Sequence, residues 1–169
     1  MVISPKLRKD LEDALMMIMA IKWDGFSKAG SCIPISYALN EFMNLRSRPS
    51  RVAETTMEAH DPLNARWLQI EPTDWFLGHV VVVMPIHGLL LDGSLWTQTS
   101  KVLDNFDMPK LLIAHWNQKL GHATGHIDRL TIRYEPDLSA HGWKTRSWPF
   151  TEIREAVISI NKDMQRKDW

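Results

Sequence analysis

Apolar side chains recur at intervals of three and four residues in four parts of the chain, which predicts four amphipathic helices. In the first of them, residues 5–22, Leu7, Leu11 and Ile18 share one face and charged side chains occupy the other. The same spacing predicts the remaining three helices at residues 32–46, 108–120 and 151–166.

Other segments carry the continuous apolar runs or the period of two that are typical of strands. Residues 79–84 and 89–92 are two such runs, and Pro85 and Gly88 between them predict a turn, so that the two runs form an antiparallel hairpin. Alternation predicts two further strands, at residues 51–58 and 127–134. Residues 66–71 fit either a strand or a short helix.

Length and composition predict one globular domain, residues 1–169, because 44% hydrophobic residues in a chain of this length supply a full core. Lys+Arg and Asp+Glu both number 20, and this even balance argues against a broad surface for nucleic acid or acidic membrane. With one cysteine the chain has no internal disulfide framework. No signal-peptide pattern or apolar run of membrane length is present, so we expect a cytoplasmic location.

The single cysteine lies where a loop enters a predicted helix. Gly30 and Ser31 are typical of a helix start, Ser31 is a candidate N-cap, and Pro34 is tolerated in the first turn. Cys32 is then about the first helical residue, where unpaired N–H groups favour a thiolate and can also hold an oxyanion. Cys32 is therefore a candidate nucleophile, and the alternative interpretation is a small buried hydrophobic residue.

The predicted hairpin brings a histidine and an aspartate close together. His79 begins its first strand and Asp92 ends its second, and a turn near residues 86–87 places Val80 opposite Asp92. A shift of this register by one or two positions sets His79 and Asp92 directly or diagonally across from each other. Asp92 then orients the ring of His79 and stabilises its charged form.

A cysteine that begins a helix, a histidine that begins a strand and an aspartate that ends the next strand, in this order, resemble the transglutaminase-like branch of the papain-like cysteine enzymes. The resemblance implies an α+β fold in which helices pack around an antiparallel β-sheet, with the cysteine at the N-terminus of a central helix. It also implies a catalytic triad of Cys32, His79 and Asp92. The segments that carry it are residues 30–32, 37–39, 42–46, 48–53, 78–82 and 90–94.

The function that this resemblance implies is acyl transfer from an amide of a peptide or protein, without a cofactor. The Cys32 thiolate attacks the carbonyl, His79 handles the proton, and the thioester passes to water or to an amine, as in a peptidase, an amidase or deamidase, or a transglutaminase-like enzyme. The alternative is an inert scaffold of the same kind that binds a protein partner. Ile33-Pro34 after the cysteine and Val80-Val81 after the histidine depart from the family pattern and favour this alternative.

Residues near the triad are predicted to bind the substrate: Trp23, Ser31, Trp96 and Gln98. Gln98 is a candidate oxyanion donor, and a surface amide is its alternative interpretation. We expect no metal site, because His122 and His126 lie in a predicted glycine-containing loop without a nearby carboxylate or thiol. No nucleic-acid or membrane partner is expected, and the sequence leaves the oligomeric state open.

Overall fold

Three helices and seven strands make up the described part of the chain. A computed structural model describes residues 3–21, 31–63, 66–70, 78–97, 106–145 and 147–167. The helices are α1 (Pro5–Ala20), α2 (Cys32–Leu45) and α3 (Phe150–Lys167). The strands are β1 (Arg51–Asp61), β2 (Arg66–Ile70), β3 (His79–Met84), β4 (Leu89–Asp92), β5 (Leu112–Asn117), β6 (His122–Ile127) and β7 (Leu130–Asp137).

The three helices confirm the predictions for residues 5–22, 32–46 and 151–166. At the start of α1 the hydroxyl of Ser4 accepts the backbone N–H of Leu7 at 3.2 Å. Pro5 occupies the first helical position, where its missing N–H costs no hydrogen bond. Among the described residues, no helix combines the length and the apolar character needed to cross a bilayer.

The strands close into an antiparallel barrel. Its order is β1-β3-β4-β5-β6-β7, and β7 returns to pair with β1, from Glu54 opposite Asp137 to His60 opposite Thr131. β1 is long enough to pair with three strands. On one edge its first half pairs with β3 and its second half with β2, and on the other edge it pairs with β7. The pairing of β1 with β7 therefore leaves no open edge between the first and last strands of the barrel.

The barrel corrects the fold expected from the sequence. The prediction of a papain-like or transglutaminase-like α+β fold, with helices packed around an antiparallel sheet, is wrong, because six antiparallel strands form a closed barrel accompanied by three helices. The physical reason is that closure depends on pairing between β1 and β7, which are far apart in sequence. Local hydrophobic periodicity carries no signal for such a pairing.

The predicted helix at residues 108–120 is also wrong, and the predicted loop at residues 121–126 is the strand β6. In β5, Leu112 and Ala114 are buried and Ile113 between them is exposed, which is the period of two expected for a strand. The apolar residues in and around β5 recur at spacings that also fit a helix, which explains the wrong prediction. Pairing with β4 on one side and β6 on the other decides the conformation of this segment.

Two large apolar clusters position the later strands relative to the helices. One fills the barrel and includes Val81, Val83 and Leu90. The other lies between the helices and the outer faces of β3 and β4, where Val82 and Leu91 pack against residues of all three helices. β3 is therefore buried on both faces, which explains why its sequence is a continuous apolar run rather than an alternating one.

Gly93 follows β4 and lies directly against the helices. A Cβ atom at this position would be 2.9 Å from Cδ1 of Ile18 and 3.0 Å from Cγ2 of Ile35. Because both side chains belong to a closely packed layer, Gly93→Ala is expected to lower the free energy of unfolding by about 1–3 kcal/mol, as measured by urea denaturation. Gly121→Asn is the control, because a Cβ there meets no described atom within 4 Å and asparagine is among the residues that best tolerate its φ of 71°. Equal losses in the two variants would contradict the close packing at Gly93.

Candidate active site

Cys32 is the first residue of α2, as predicted, and the residue is 3% exposed. Ser31 occupies the N-cap position, but its hydroxyl makes no capping hydrogen bond and instead donates to Oγ1 of Thr97 at 3.0 Å. Pro34 lies in the first turn without disturbing the helix. The sulfur is thus held at the positive end of a 14-residue helix.

A second hydrogen bond fixes α2 against β3. Ser36 lies one helical turn after Cys32, and its buried hydroxyl donates to the carbonyl oxygen of Val80 at 2.9 Å. Because Val80 directly follows His79, this bond ties the helix that carries the thiol to the strand that carries the imidazole. The cysteine and the histidine are therefore placed by one shared anchor.

His79 and Asp92 are in direct contact and fully buried. Nε2 of His79 donates to Oδ2 of Asp92 at 2.7 Å. β3 and β4 pair with Val82 opposite Leu91, and extending this register puts Asp92 across from Val81. The observed register is one position from the predicted one, and it makes His79 and Asp92 diagonal neighbours on the same face of the sheet.

Asp92 accepts hydrogen bonds on both of its oxygens. Oδ1 accepts the backbone N–H and the hydroxyl of Ser94, both at 2.9 Å. Oδ2 accepts the hydroxyl of Tyr134 at 3.0 Å in addition to the ring of His79. Four donors on one buried carboxylate strongly favour its ionised form.

The sequence interpretation missed Ser94 and Tyr134 as members of this cluster. Ser94 has a local signal, because a serine two residues after an aspartate is typical of an Asx turn. Tyr134 has none, since β7 meets Asp92 only through closure of the barrel. Thr97 extends the cluster, because its hydroxyl accepts from Ser31 and donates to the carbonyl oxygen of Ser94 at 2.7 Å.

The electrostatics of the cluster favour a charged histidine. Burial lowers the pKa of His79, but the charge and hydrogen bond of Asp92, assisted by Cys32, outweigh burial and raise that pKa to about 10. Burial raises the pKa of Asp92, yet His79 and Ser94 lower it below its usual value. Burial and the neighbouring Asp92 raise the pKa of Tyr134 well above 10, so its hydroxyl remains a donor. The ion pair of His79 and Asp92 is therefore the stable state near neutral pH.

Cys32 interacts with the imidazole of His79 and contributes to its raised pKa. Nε2 of the ring is engaged by Asp92, so Nδ1 is the nitrogen left for the thiol. Within the described part of the chain, this buried Nδ1 has no hydrogen-bond partner. The arrangement provides a sulfur, a base whose second nitrogen is available, and an acid behind that base.

Aromatic side chains surround the thiol. Cys32 belongs to a buried cluster with Ile33, Val80 and Trp143, against which Phe150 and other partly buried residues pack. The rings of Trp143 and Phe150 meet edge to face with their centroids 6.0 Å apart. The backbone N–H of Trp143 donates to the buried carboxylate of Glu54 at 2.7 Å, which fixes this part of the wall to β1. Apart from His79, the side chains packed around the sulfur are therefore apolar.

The residues predicted to bind substrate have different outcomes. Trp23 and Gln98 lie outside the described residues. Ser31 is buried and is engaged with Thr97. Trp96 is partly buried, its indole N–H donates to the carbonyl oxygen of Gly93 at 2.8 Å, and Nζ of Lys110 lies 3.3 Å from the centre of its ring. The two described residues therefore brace the loop after Asp92, and their role in substrate binding stays a prediction.

Within the described ranges, no group of three or more His, Cys, Asp or Glu side chains has an arrangement that could hold a metal ion. His122 begins β6 and His126 lies in the same strand, where His126 contacts the hydroxyl of Thr131 at 3.3 Å. No protein-family model, curated protein or solved structure matches this chain.

Proposed function

We propose that this protein is a cysteine-nucleophile enzyme that transfers acyl groups from amides of peptides or proteins. The observation that carries the proposal is the buried contact between His79 and Asp92 beside Cys32, which begins a helix. A nucleophile, a base within its reach and a third group that orients the base are the minimum for this chemistry. The proposal needs only this local geometry, independently of the fold that presents it.

The first step forms a thioester. The Cys32 thiolate attacks the carbonyl carbon of the amide, and a carbon–sulfur bond forms as the oxygen takes up the negative charge. When the tetrahedral intermediate collapses, the carbon–nitrogen bond breaks and the leaving amine takes a proton from Nδ1 of the charged His79. The backbone N–H groups at the start of α2 would stabilise this negative charge.

The second step releases the acyl group. Neutral His79 removes a proton from water or from an amine, which attacks the thioester and expels the Cys32 thiolate. With water the product is a carboxylic acid, so the reaction is peptide hydrolysis or deamidation; with an amine it is a new amide. Asp92 keeps its charge throughout and stabilises the imidazolium in each half of the cycle. This chemistry needs no cofactor, and we place it in the cytoplasm, where a cysteine that forms no disulfide stays reduced.

An activated ester tests the acyl-transfer chemistry without knowledge of the natural substrate. We expect the folded protein to release p-nitrophenol from p-nitrophenyl acetate for many turnovers, about 10²-fold faster than the urea-unfolded chain. Acid quenching and intact-mass spectrometry should find one acetyl group on Cys32 that hydroxylamine removes. Cys32→Ser should lack both the turnover and the adduct. Acetylation no faster in the folded chain than in the unfolded one would refute the proposal.

The second candidate function is a protein-binding scaffold with an inert thiol. The observation that favours it is the 3% exposure of Cys32 within its apolar cluster. A substrate can reach such a sulfur only if surrounding side chains move aside. Slow acetylation that does not change when His79 is replaced by glutamine is the result expected for this scaffold.

A further inference from the structure

Tyr134 stands out among the buried side chains of the barrel cluster because, within the part of the chain that the structure describes, it brings a hydroxyl to the candidate site. It lies on β7 and is fully buried. Its pairing partners on the two neighbouring strands are Met57 of β1 and Ala123 of β6. Its neighbours in the barrel cluster are otherwise aliphatic or small. A phenylalanine would fill the same space, so packing alone does not explain the hydroxyl.

The hydroxyl reaches the oxygen that binds the histidine. It donates to Oδ2 of Asp92 at 3.0 Å, and this is the same atom that accepts Nε2 of His79 at 2.7 Å. The tyrosine ring also lies nearly parallel to the imidazole, with the ring centroids 6.3 Å apart and an angle of 24° between the planes. Tyr134 thus contacts both the acid and the face of the base.

We infer that Tyr134 is a positioning residue for the acyl-transfer reaction, and that it holds Asp92 in the orientation in which Asp92 binds His79. This inference rests on the proposed function. With Ser94 fixing Oδ1 and Tyr134 fixing one side of Oδ2, the remaining lone pair of Oδ2 points at Nε2. The imidazole is then oriented by an acid that is itself immobile.

The groups that titrate around this cluster are few. The elements packed against it bring Cys32 from α2, His79 from β3 and Tyr134 from β7. From β1, the residue that pairs with His79 is the uncharged Thr55. Glu54 precedes it on the opposite face of β1, where its carboxylate accepts the N–H of Trp143, one of the residues packed around Cys32. Changes in the pH dependence of the site can therefore come from Cys32, His79, Asp92, Tyr134 or Glu54, and of these contacts Tyr134→Phe removes only the hydrogen bond to Asp92.

The test is Tyr134→Phe, which keeps the ring and removes only the hydroxyl. A carboxylate that loses a donor binds protons more readily, so Asp92 protonates at higher pH and releases His79. We expect the acid limb of the rate of Cys32 acetylation by p-nitrophenyl acetate to move upward by about one pH unit. Near-UV circular dichroism at each pH corrects the rates for the folded fraction.

Ile132→Val is the matched control, because Ile132 lies on the same strand and in the same apolar cluster but donates no hydrogen bond to Asp92. It should lower stability slightly and leave the acid limb unchanged.

If the acid limb of the wild type depends on His79 but Tyr134→Phe does not move it, the positioning role of Tyr134 is refuted and the proposed function is not. A wild-type profile that does not depend on His79 would refute the proposed function instead. If Tyr134→Phe folds poorly, Ser94→Ala is measured in its place, because it removes the hydroxyl that donates to Oδ1 of Asp92. An acid limb at the wild-type pH in Ser94→Ala would refute the inference that hydrogen-bond donors hold Asp92 in place.

Discussion

His79→Gln is expected to slow the alkylation of Cys32 by iodoacetamide at pH 6 by about 10²-fold. In the wild type the imidazole of His79, whose pKa is about 10, is charged at pH 6 and interacts with Cys32. On the proposed function this positive charge promotes attack by the sulfur, and a neutral glutamine side chain cannot supply it. Intact-mass spectrometry of samples quenched at intervals gives the rate directly.

His87→Gln is the control for this experiment. His87 lies in the short turn between β3 and β4, at the end of the hairpin away from Asp92. Its replacement should leave the alkylation rate within about twofold of the wild type, since exposed or turn substitutions rarely disturb a distant site. Equal alkylation rates in the wild type and His79→Gln at pH 6 would show that Cys32 is an ordinary buried thiol.

Asp92→Asn is expected to change the direction in which stability depends on pH. In the wild type, the folded-state pKa of His79, about 10, lies above its unfolded value of about 6.5. The stabilisation is complete below about pH 6.5 and is lost as the pH rises toward 10, at up to about 1.4 kcal/mol per pH unit. In the variant, burial is no longer opposed by a carboxylate, so the pKa of His79 falls below its unfolded value and stability rises with pH up to about 6.5.

Urea denaturation between pH 5 and pH 9 measures this effect as the difference in free energy of unfolding between wild type and variant. The difference should be about 3–5 kcal/mol near pH 6.5 and should shrink as the pH rises. Asp163→Asn, at a largely exposed position of α3, should leave the pH dependence of the wild type intact. Parallel curves for the wild type and Asp92→Asn would exclude a charged pair. If Asp92→Asn does not fold, His79→Gln is measured instead. It should abolish the loss of stability that the wild type shows above pH 6.5, and a loss that persists would exclude the charged pair of His79 and Asp92.

The local pattern of the sequence predicts the parts of this site that depend on neighbours in the chain. Helical periodicity locates α1, α2 and α3, and a helix-start signal places Cys32 at the first position of α2. The Pro/Gly turn predicts the hairpin, and with it the approach of His79 to Asp92, within one position of register. Both depend on short-range rules of capping, turns and alternation.

The parts that the sequence does not predict depend on distant pairing. Residues 108–120 carry apolar side chains at spacings compatible with a helix, and only their neighbours β4 and β6 make β5 a strand. The contact of β1 with β7 follows from the curvature of the whole sheet. Because Tyr134 enters the site through that contact, an open sheet would have left Asp92 without its second donor on Oδ2.

Closure of the barrel by its final strand also sets the order in which the site assembles. The helix that carries the thiol and the hairpin that carries the ion pair emerge from the ribosome well before β7, whose pairing with β1 is among the most non-local in the chain. Until β7 docks, Asp92 lacks the Tyr134 donor on Oδ2. If the proposed function is right, a nascent or partly unfolded chain carries an incomplete site, and the thiol is expected to reach its full reactivity only in the completed fold.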